Sequence, residues 1–315
     1  MFLFASCGGG EDEILDSPNN PNTPNIVTLT NAGTLKTTLG ENYLDYSILK
    51  IVGPINGNDI YCLREMMGGG EDESVRANLS TLDLSDAKIV KGGSWYFNEG
   101  RGRKLYTSNN IIGCAMFQGC SLLRNIVLPN NVTTIGERAF FACESLTSIE
   151  IPNSVITIEN DAFFFCTSLA SITIPNSVIR IGTNALNACF SLTSIDIPNS
   201  VTLIGGWAFS GCSSLSSIEI PNNIKLIGYS TFWGCKSLTS VTIGNNVTSI
   251  GDDAFYGCEA LAEVTCHATT PPELSFGVFD SDIKETVNLY IPKGCLEVYN
   301  SSEWRKFFSN IVEMD

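Results

Sequence analysis

The residues of this 315-residue chain best equipped for chemistry are its 12 cysteines, its one histidine and a few carboxylate pairs. Cys120, Cys143, Cys166, Cys189, Cys212, Cys235 and Cys258 recur every 23 residues. Such a set could form disulfides, hold a metal or supply a thiolate nucleophile. Equal spacing argues against all three. If one period is one coil of a stack, equivalent side chains lie about 4.8 Å apart and point the same way. A disulfide needs Cβ atoms about 3.5–4.5 Å apart that face each other. A zinc centre needs ligands that converge on a point, and these residues run along a line. His267 sits where the period ends, and the nearest ladder cysteine, Cys258, belongs to a core position, so no Ser-His-Asp or Cys-His arrangement is built. The ladder therefore reads as buried thiols in a small apolar slot. His267 reads as an ordinary cap residue. Asp252 and Asp253 read as surface charge. Gly8 to Gly10 and Gly68 to Gly70 are each followed by Glu-Asp-Glu instead of Lys and a helix, so they are linkers and not phosphate cradles. No catalytic residue, metal ligand or cofactor is expected.

The elements that must position these residues share the same register. Phe117, Phe140, Phe163, Leu186, Phe209, Phe232 and Phe255 form a second 23-residue ladder, and Pro129, Pro152, Pro175, Pro198 and Pro221, with Gly244 in sixth place, form a third. Within residues 146–168, Leu146, Ile149 and Ile151 alternate with polar residues, which predicts a short strand with one buried face, and Pro152 ends it. Val155, Ile158, Ala162, Phe163 and Cys166 point the return path inward. One such unit buries too little surface to offset the entropy of ordering 23 residues. Stacked units cover each other's edges and pair their strands into a parallel sheet, and the stack needs caps at both ends.

Apolar patterning outside the regular stretch supplies those caps. Residues 48–52 and 79–87 read as two irregular coils, and Asn58 or Asp59 as the cap of a short helix that presents Ile60, Leu63 and Met67 and ends at Gly68. Downstream, Thr270-Pro271-Pro272 breaks the repeat, residues 287–292 form one more strand, and residues 296–308 have helical spacing with aromatics able to cover the last coil. The chain divides into 1–7, a truncated lipoprotein signal; 8–25, a disordered tether; 26–112, an N-terminal cap; 113–268, regular repeats; and 269–315, a C-terminal cap.

The unit I-x-I-P-N-S-V-x-x-I-G-x-x-A-F-x-x-C-x-S-L-T-S resembles the BspA-like, or treponemal-type, leucine-rich repeats of bacterial surface proteins. The resemblance covers residues 113–266, and residues 291–299 (I-P-K-G-C-L-E-V-Y) are similar to the terminal segment of such proteins. It implies a right-handed leucine-rich-repeat solenoid, with a parallel sheet on one face and irregular or helical return segments on the other. It also implies a surface or secreted binding protein, in some relatives an adhesin. Glu159, Leu186 and Gly244 depart from the consensus, and the last two predict looser coils. Phe4-Ala5-Ser6-Cys7 is similar to a bacterial lipobox, with Cys7 the residue that would carry lipid. Residues 1–4 lack the basic and most of the apolar part of a signal peptide. The outer-membrane lipoprotein reading therefore requires a start further upstream; otherwise the chain is secreted or cytosolic.

A net charge of −15 and the lack of a basic stripe exclude nucleic acid as a partner, and no apolar run of about 20 residues is present to span a membrane. Membrane attachment is expected only through an N-terminal lipid. With 43% hydrophobic and 16% charged residues the chain folds, and its functional surfaces are then columns, since a solenoid repeats each exposed position. One candidate strip is Glu150, Thr173, Asp196, Glu219 and Thr242 on the outward strand face; the plainer reading of it is solubility. The other is an aromatic column of Phe141, Phe164, Trp233 and Tyr256, with Trp207 close by; the plainer reading of it is burial between coils. The strip fits a protein ligand, extracellular or from a host, and a non-catalytic adhesin or interaction scaffold. The aromatics fit a glycan, in a carbohydrate-binding or architectural surface component. Burial of both Trp207 and Trp233 would remove the glycan reading.

Overall fold

A computed structural model describes residues 24–71, 76–98 and 103–315. Residues 1–23, and with them the lipobox, lie outside this range, as does most of the tether. The alternation read from the sequence becomes a parallel ladder in which each strand pairs with the strand of the next coil. Asn25–Thr28, Ile48–Ile55, Thr81–Ile89, Asn125–Val127, Ser148–Glu150 and Ser171–Thr173 form one six-stranded sheet. Ser217–Ile220, Ser240–Ile243, Glu263–Cys266, Asn288–Ile291 and Asn310–Glu313 form a five-stranded continuation. Pairing holds the 23-residue register, Ser171 opposite Ser148 and Ser240 opposite Ser217. The chain is a leucine-rich-repeat solenoid.

The return path is more regular than its sequence suggests. Two-residue strands such as Thr134–Ile135, Thr157–Ile158, Arg180–Ile181 and Leu203–Ile204 pair in a second parallel sheet, which resumes through Leu226–Ile227, Ser249–Ile250 and Glu273–Leu274. Only the Ile or Leu of each pair that points inward repeats strictly, so period-2 alternation is too short to be seen in the sequence.

A further ladder, of backbone hydrogen bonds, joins the turns. Arg138, Asp161, Asn184, Trp207, Ser230 and Asp253 all have left-handed backbone, as do Ala142, Phe165, Ala188, Gly211, Gly234 and Gly257 four residues on. Between these left-handed positions the N–H groups of every second residue point along the stack. In the coil of Phe163, Asp161 N–H donates to Thr183 O (2.9 Å), Phe163 N–H to Ala185 O (2.8 Å) and Phe165 N–H to Asn187 O (3.0 Å). The other coils repeat this pattern. The ladder thus has a direction, with donors facing the C-terminal end of the stack and acceptors the N-terminal end.

Inside, the phenylalanines stack ring on ring. Phe140 and Phe163 lie 5.2 Å apart at 2°, Phe232 and Phe255 5.3 Å apart at 5°. Leu186 is buried in the gap between Phe163 and Phe209. Downstream of it, residues 192–202 carry no strand, Ile195 is half-buried where Ile172 and Ile218 are buried, and the first sheet is interrupted. This is the loosened coil expected at Leu186. Gly244 departs from the same expectation. Its strand pairs on both sides, and a Cβ there would come within 2.8 Å of the Ile220 and Pro221 carbonyl oxygens, so glycine permits a close approach instead of loosening the coil.

The ends differ in detail from the sequence reading. The helix Gly57–Met66 is capped by Asn56, whose side chain accepts from Asn58 N–H, while the buried Asp59 carboxylate accepts from Asn56, Gly33 and Leu35 N–H. At the other end, helical spacing holds only over Leu296–Asn300 and a 3-10 turn at Glu303–Lys306, after which Asn310–Glu313 adds a strand that the sequence reading lacks. Tyr299, Trp304 and Phe308 are buried, and Phe308 meets Phe279 edge-on at 5.1 Å.

Candidate binding faces

The seven ladder thiols are buried and free of disulfides. From the second coil on, each donates to the carbonyl of the residue 26 positions earlier, Cys143 to Phe117 O at 3.1 Å and Cys166 to Phe140 O at 3.1 Å. Burial pushes these thiols up, to about 11 for Cys120 and about 12 for Cys212. A protonated, enclosed thiol is neither nucleophile nor ligand. Among the described residues no group of three or more His, Cys, Asp or Glu side chains is placed to hold a metal ion. Asp252, half of the carboxylate pair, accepts from Phe276 N–H at 2.9 Å and so holds a turn. His267 is exposed.

The strand face carries the acidic strip in register where the sheet is intact. Glu150 stands opposite Thr173, and Glu219 opposite Thr242, itself opposite Thr265. Asp196 falls in the interruption at residues 192–202, so the strip is two ordered lengths joined by a looser one. Glu150, Thr173, Asp196 and Glu219 are exposed and Thr242 is half-exposed. At its C-terminal end the face dips into a groove of about 550 Å³ lined by Glu219, Thr242, Asn222, Asn245, His267 and Lys293. Sequence reading did not foresee the groove, because it joins residues from three coils and the terminal cap.

The aromatic column splits into two sets. Phe141 and Phe164 are half-buried and pack edge-on at 5.3 Å, and Phe164 meets Phe165 at 4.8 Å. Trp207 and Trp233 retain 40% and 47% of their surface, so the burial that would have removed the glycan reading is not observed. Tyr256 is exposed as well. The repeated positions thus resolve into one strip of hydroxyls and acids on the strand face and, away from it, a half-buried phenylalanine pair and the exposed rings of Trp207, Trp233 and Tyr256.

No match is found among curated proteins. Among solved structures, the chain is similar to the Treponema pallidum leucine-rich repeat protein, at 35% identity over 51% of this chain and 73% of that one, with a TM-score of 0.46. It is also similar to a leucine-rich repeat protein from Bacteroides ovatus, at 25% identity over 67% of this chain and 66% of that one, with a TM-score of 0.40. A leucine-rich cell surface protein from Faecalibacterium prausnitzii matches at 24% identity over 87% and 81% of the two chains, with a TM-score of 0.37. The model of the BspA type leucine rich repeat region matches in six copies over residues 96–213 and 179–302, the stretch that carries the three ladders. The chain belongs to the BspA-type leucine-rich-repeat family.

Proposed function

We propose that this chain is a non-catalytic, cell-surface binding protein that captures a protein ligand on its strand face, as an adhesin or interaction scaffold. The observation that carries the reading is the exposed strip of Glu150, Thr173, Asp196, Glu219 and Thr242, whose three carboxylates have no ion pair or hydrogen bond among the described residues. Carboxylates left unpaired along this face, Glu150 and Glu219 on paired strands and Asp196 between them, are available to a basic partner and cost little to desolvate at the rim of an interface. The groove beside Glu219 and Thr242 gives that partner a place to seat a side chain. Residues 26–112 and 269–315 serve as caps in this reading, and a lipid on Cys7 is the anchor.

The test is capture of extracellular-matrix and host serum proteins by the full chain, beside a variant carrying Glu150→Lys, Asp196→Lys and Glu219→Lys. Loss of capture by about tenfold or more, with unchanged thermal stability, is expected; equal capture by both chains rejects the strand face as the site. Labelling of cells with an alkyne fatty acid should mark the chain, and the Cys7→Ser variant should lose the label.

A further inference from the structure

A second surface lies on the return side of two adjacent coils, and its chemistry differs from the rest of the molecule. The chain holds 33 acidic residues, yet residues 197–251 contain only one, Glu219, which belongs to the strand face; Lys225 and Lys236 are their only other charges. On the return side of these coils Leu203 and Leu226 are 48% and 54% exposed, Tyr229 is 46% exposed beside Trp207, and Trp233, four residues after Tyr229, is exposed as well. The patch is therefore apolar, aromatic and almost uncharged on a strongly acidic protein.

Two of its rings are held in place. Trp207 meets Tyr229 edge-on with centroids 4.5 Å apart. The Tyr229 ring lies directly over Gly206, where a Cβ would come within 2.6 Å of it. Trp207 has left-handed backbone at φ 55, a conformation costly for a bulky residue, in a column that other coils fill with Arg138, Asp161, Asn184, Ser230 and Asp253. Burial does not account for tryptophan there, because the ring is exposed. The indole N–H groups of Trp207 and Trp233 and the hydroxyl of Tyr229 have no hydrogen-bond partner among the described residues.

We propose that Trp207, Tyr229 and Trp233 form a binding platform for a neutral glycan. A ring face is electron-rich and attracts the C–H-lined face of a pyranose, while the idle N–H and O–H donors at the ring edges meet sugar hydroxyls. Trp207 and Tyr229, pre-positioned by their mutual contact, lose little rotamer freedom on binding. An acidic polysaccharide would suffer repulsion from the net charge of −15. This site is independent of the strand-face reading.

The test is affinity electrophoresis of the full chain in gels containing amylose, xyloglucan, galactomannan or soluble β-1,3-glucan, with tryptophan fluorescence as a second readout. Retardation by at least one of these is expected, weakened about tenfold or more in Trp207→Ala and Trp233→Ala, with unchanged circular dichroism and melting temperature. The Glu150/Asp196/Glu219 charge reversal should leave it unaltered, which separates this site from the protein-binding face. No retardation in any gel, or retardation that survives both tryptophan variants, overturns the proposal. So does a size-exclusion dimer that Trp207→Ala dissociates, since the patch would then be covered by a second copy.

Discussion

The two ends of the turn ladder face opposite problems and are closed by opposite charges. At the N-terminal end the ladder leaves carbonyl groups without the N–H of a preceding coil. Arg64, buried in the helix Gly57–Met66, reaches across and donates through Nη1 to Ala115 O and Met116 O at 3.1 and 3.2 Å, and through Nη2 to Gly69 O at 2.7 Å. Tyr96 donates its hydroxyl to Cys114 O at 2.8 Å. At the C-terminal end the last rung lacks an acceptor instead. Asp253 and Phe255 N–H find Phe276 O and Val278 O, but Gly257 N–H donates to the Asp280 carboxylate at 2.7 Å. The ladder behaves like a helix whose two termini want ions of opposite sign. A repeat protein cannot end by repeating, and each end needs the side chain that its own exposed backbone groups require.

The largest effect concerns the dry interior between these ends. Burial raises the ladder thiols from the ordinary value near 9 to about 11 at Cys120 and about 12 at Cys258; beside them Arg64 lowers the first and Asp280 raises the second. A thiol whose folded pKa exceeds its unfolded one must release a proton on unfolding in alkaline solution. Its stabilisation is complete below pH 9 and is lost as pH rises toward 11–12, by up to about 1.4 kcal/mol per pH unit per thiol. Thermal melts at pH 8, 9, 10 and 11 should show a steep fall above pH 9, less steep in Cys258→Ala. A flat profile would mean that the interior admits water.

Next in size is Arg64→Met, which leaves Met116 O and Gly69 O without their donor, Ala115 O keeping Gln118 N–H, and should cost about 3 kcal/mol in denaturant titration. Asp280→Ala removes the acceptor of Gly257 N–H and should cost about 1–2 kcal/mol by the same measurement. Equal costs would break the asymmetry drawn between the ends. The smallest expected effect lies between them: Leu186→Phe, which completes the ring stack from Phe163 to Phe209, should add about 0.5–1.5 kcal/mol. A loss instead would show that the interruption at residues 192–202 has a cause other than the missing ring.

Residues with a strict period were legible because one side chain in each coil meets the same neighbours in the next. That is why the phenylalanine, cysteine and proline ladders gave the parallel sheet, the buried thiols and the membership of a repeat family. Phe279 escaped because an extra residue puts it 24 positions after Phe255, yet its ring stacks at 5.3 Å and 8°. The strand Asn310–Glu313 escaped because its exposed edge has no strong alternation. The candidate strip was legible as a column and a looser coil was expected from Leu186, but that the loss of pairing would fall across Asp196, ten residues on, was not, since local sequence there matches its neighbours.

The sequence by itself determined the coil, its period and the inward-facing residues, because burial acts on each residue type wherever the repeat places it. Only the tertiary structure decided the hydrogen-bonded turn ladder, its closure by Arg64 and Asp280, and the exposure of Trp207 and Trp233. Backbone hand, hydrogen-bond direction and the path of a side chain across 51 residues, from Arg64 to Ala115, have no period for a sequence to reveal. They exist once neighbouring coils are in contact.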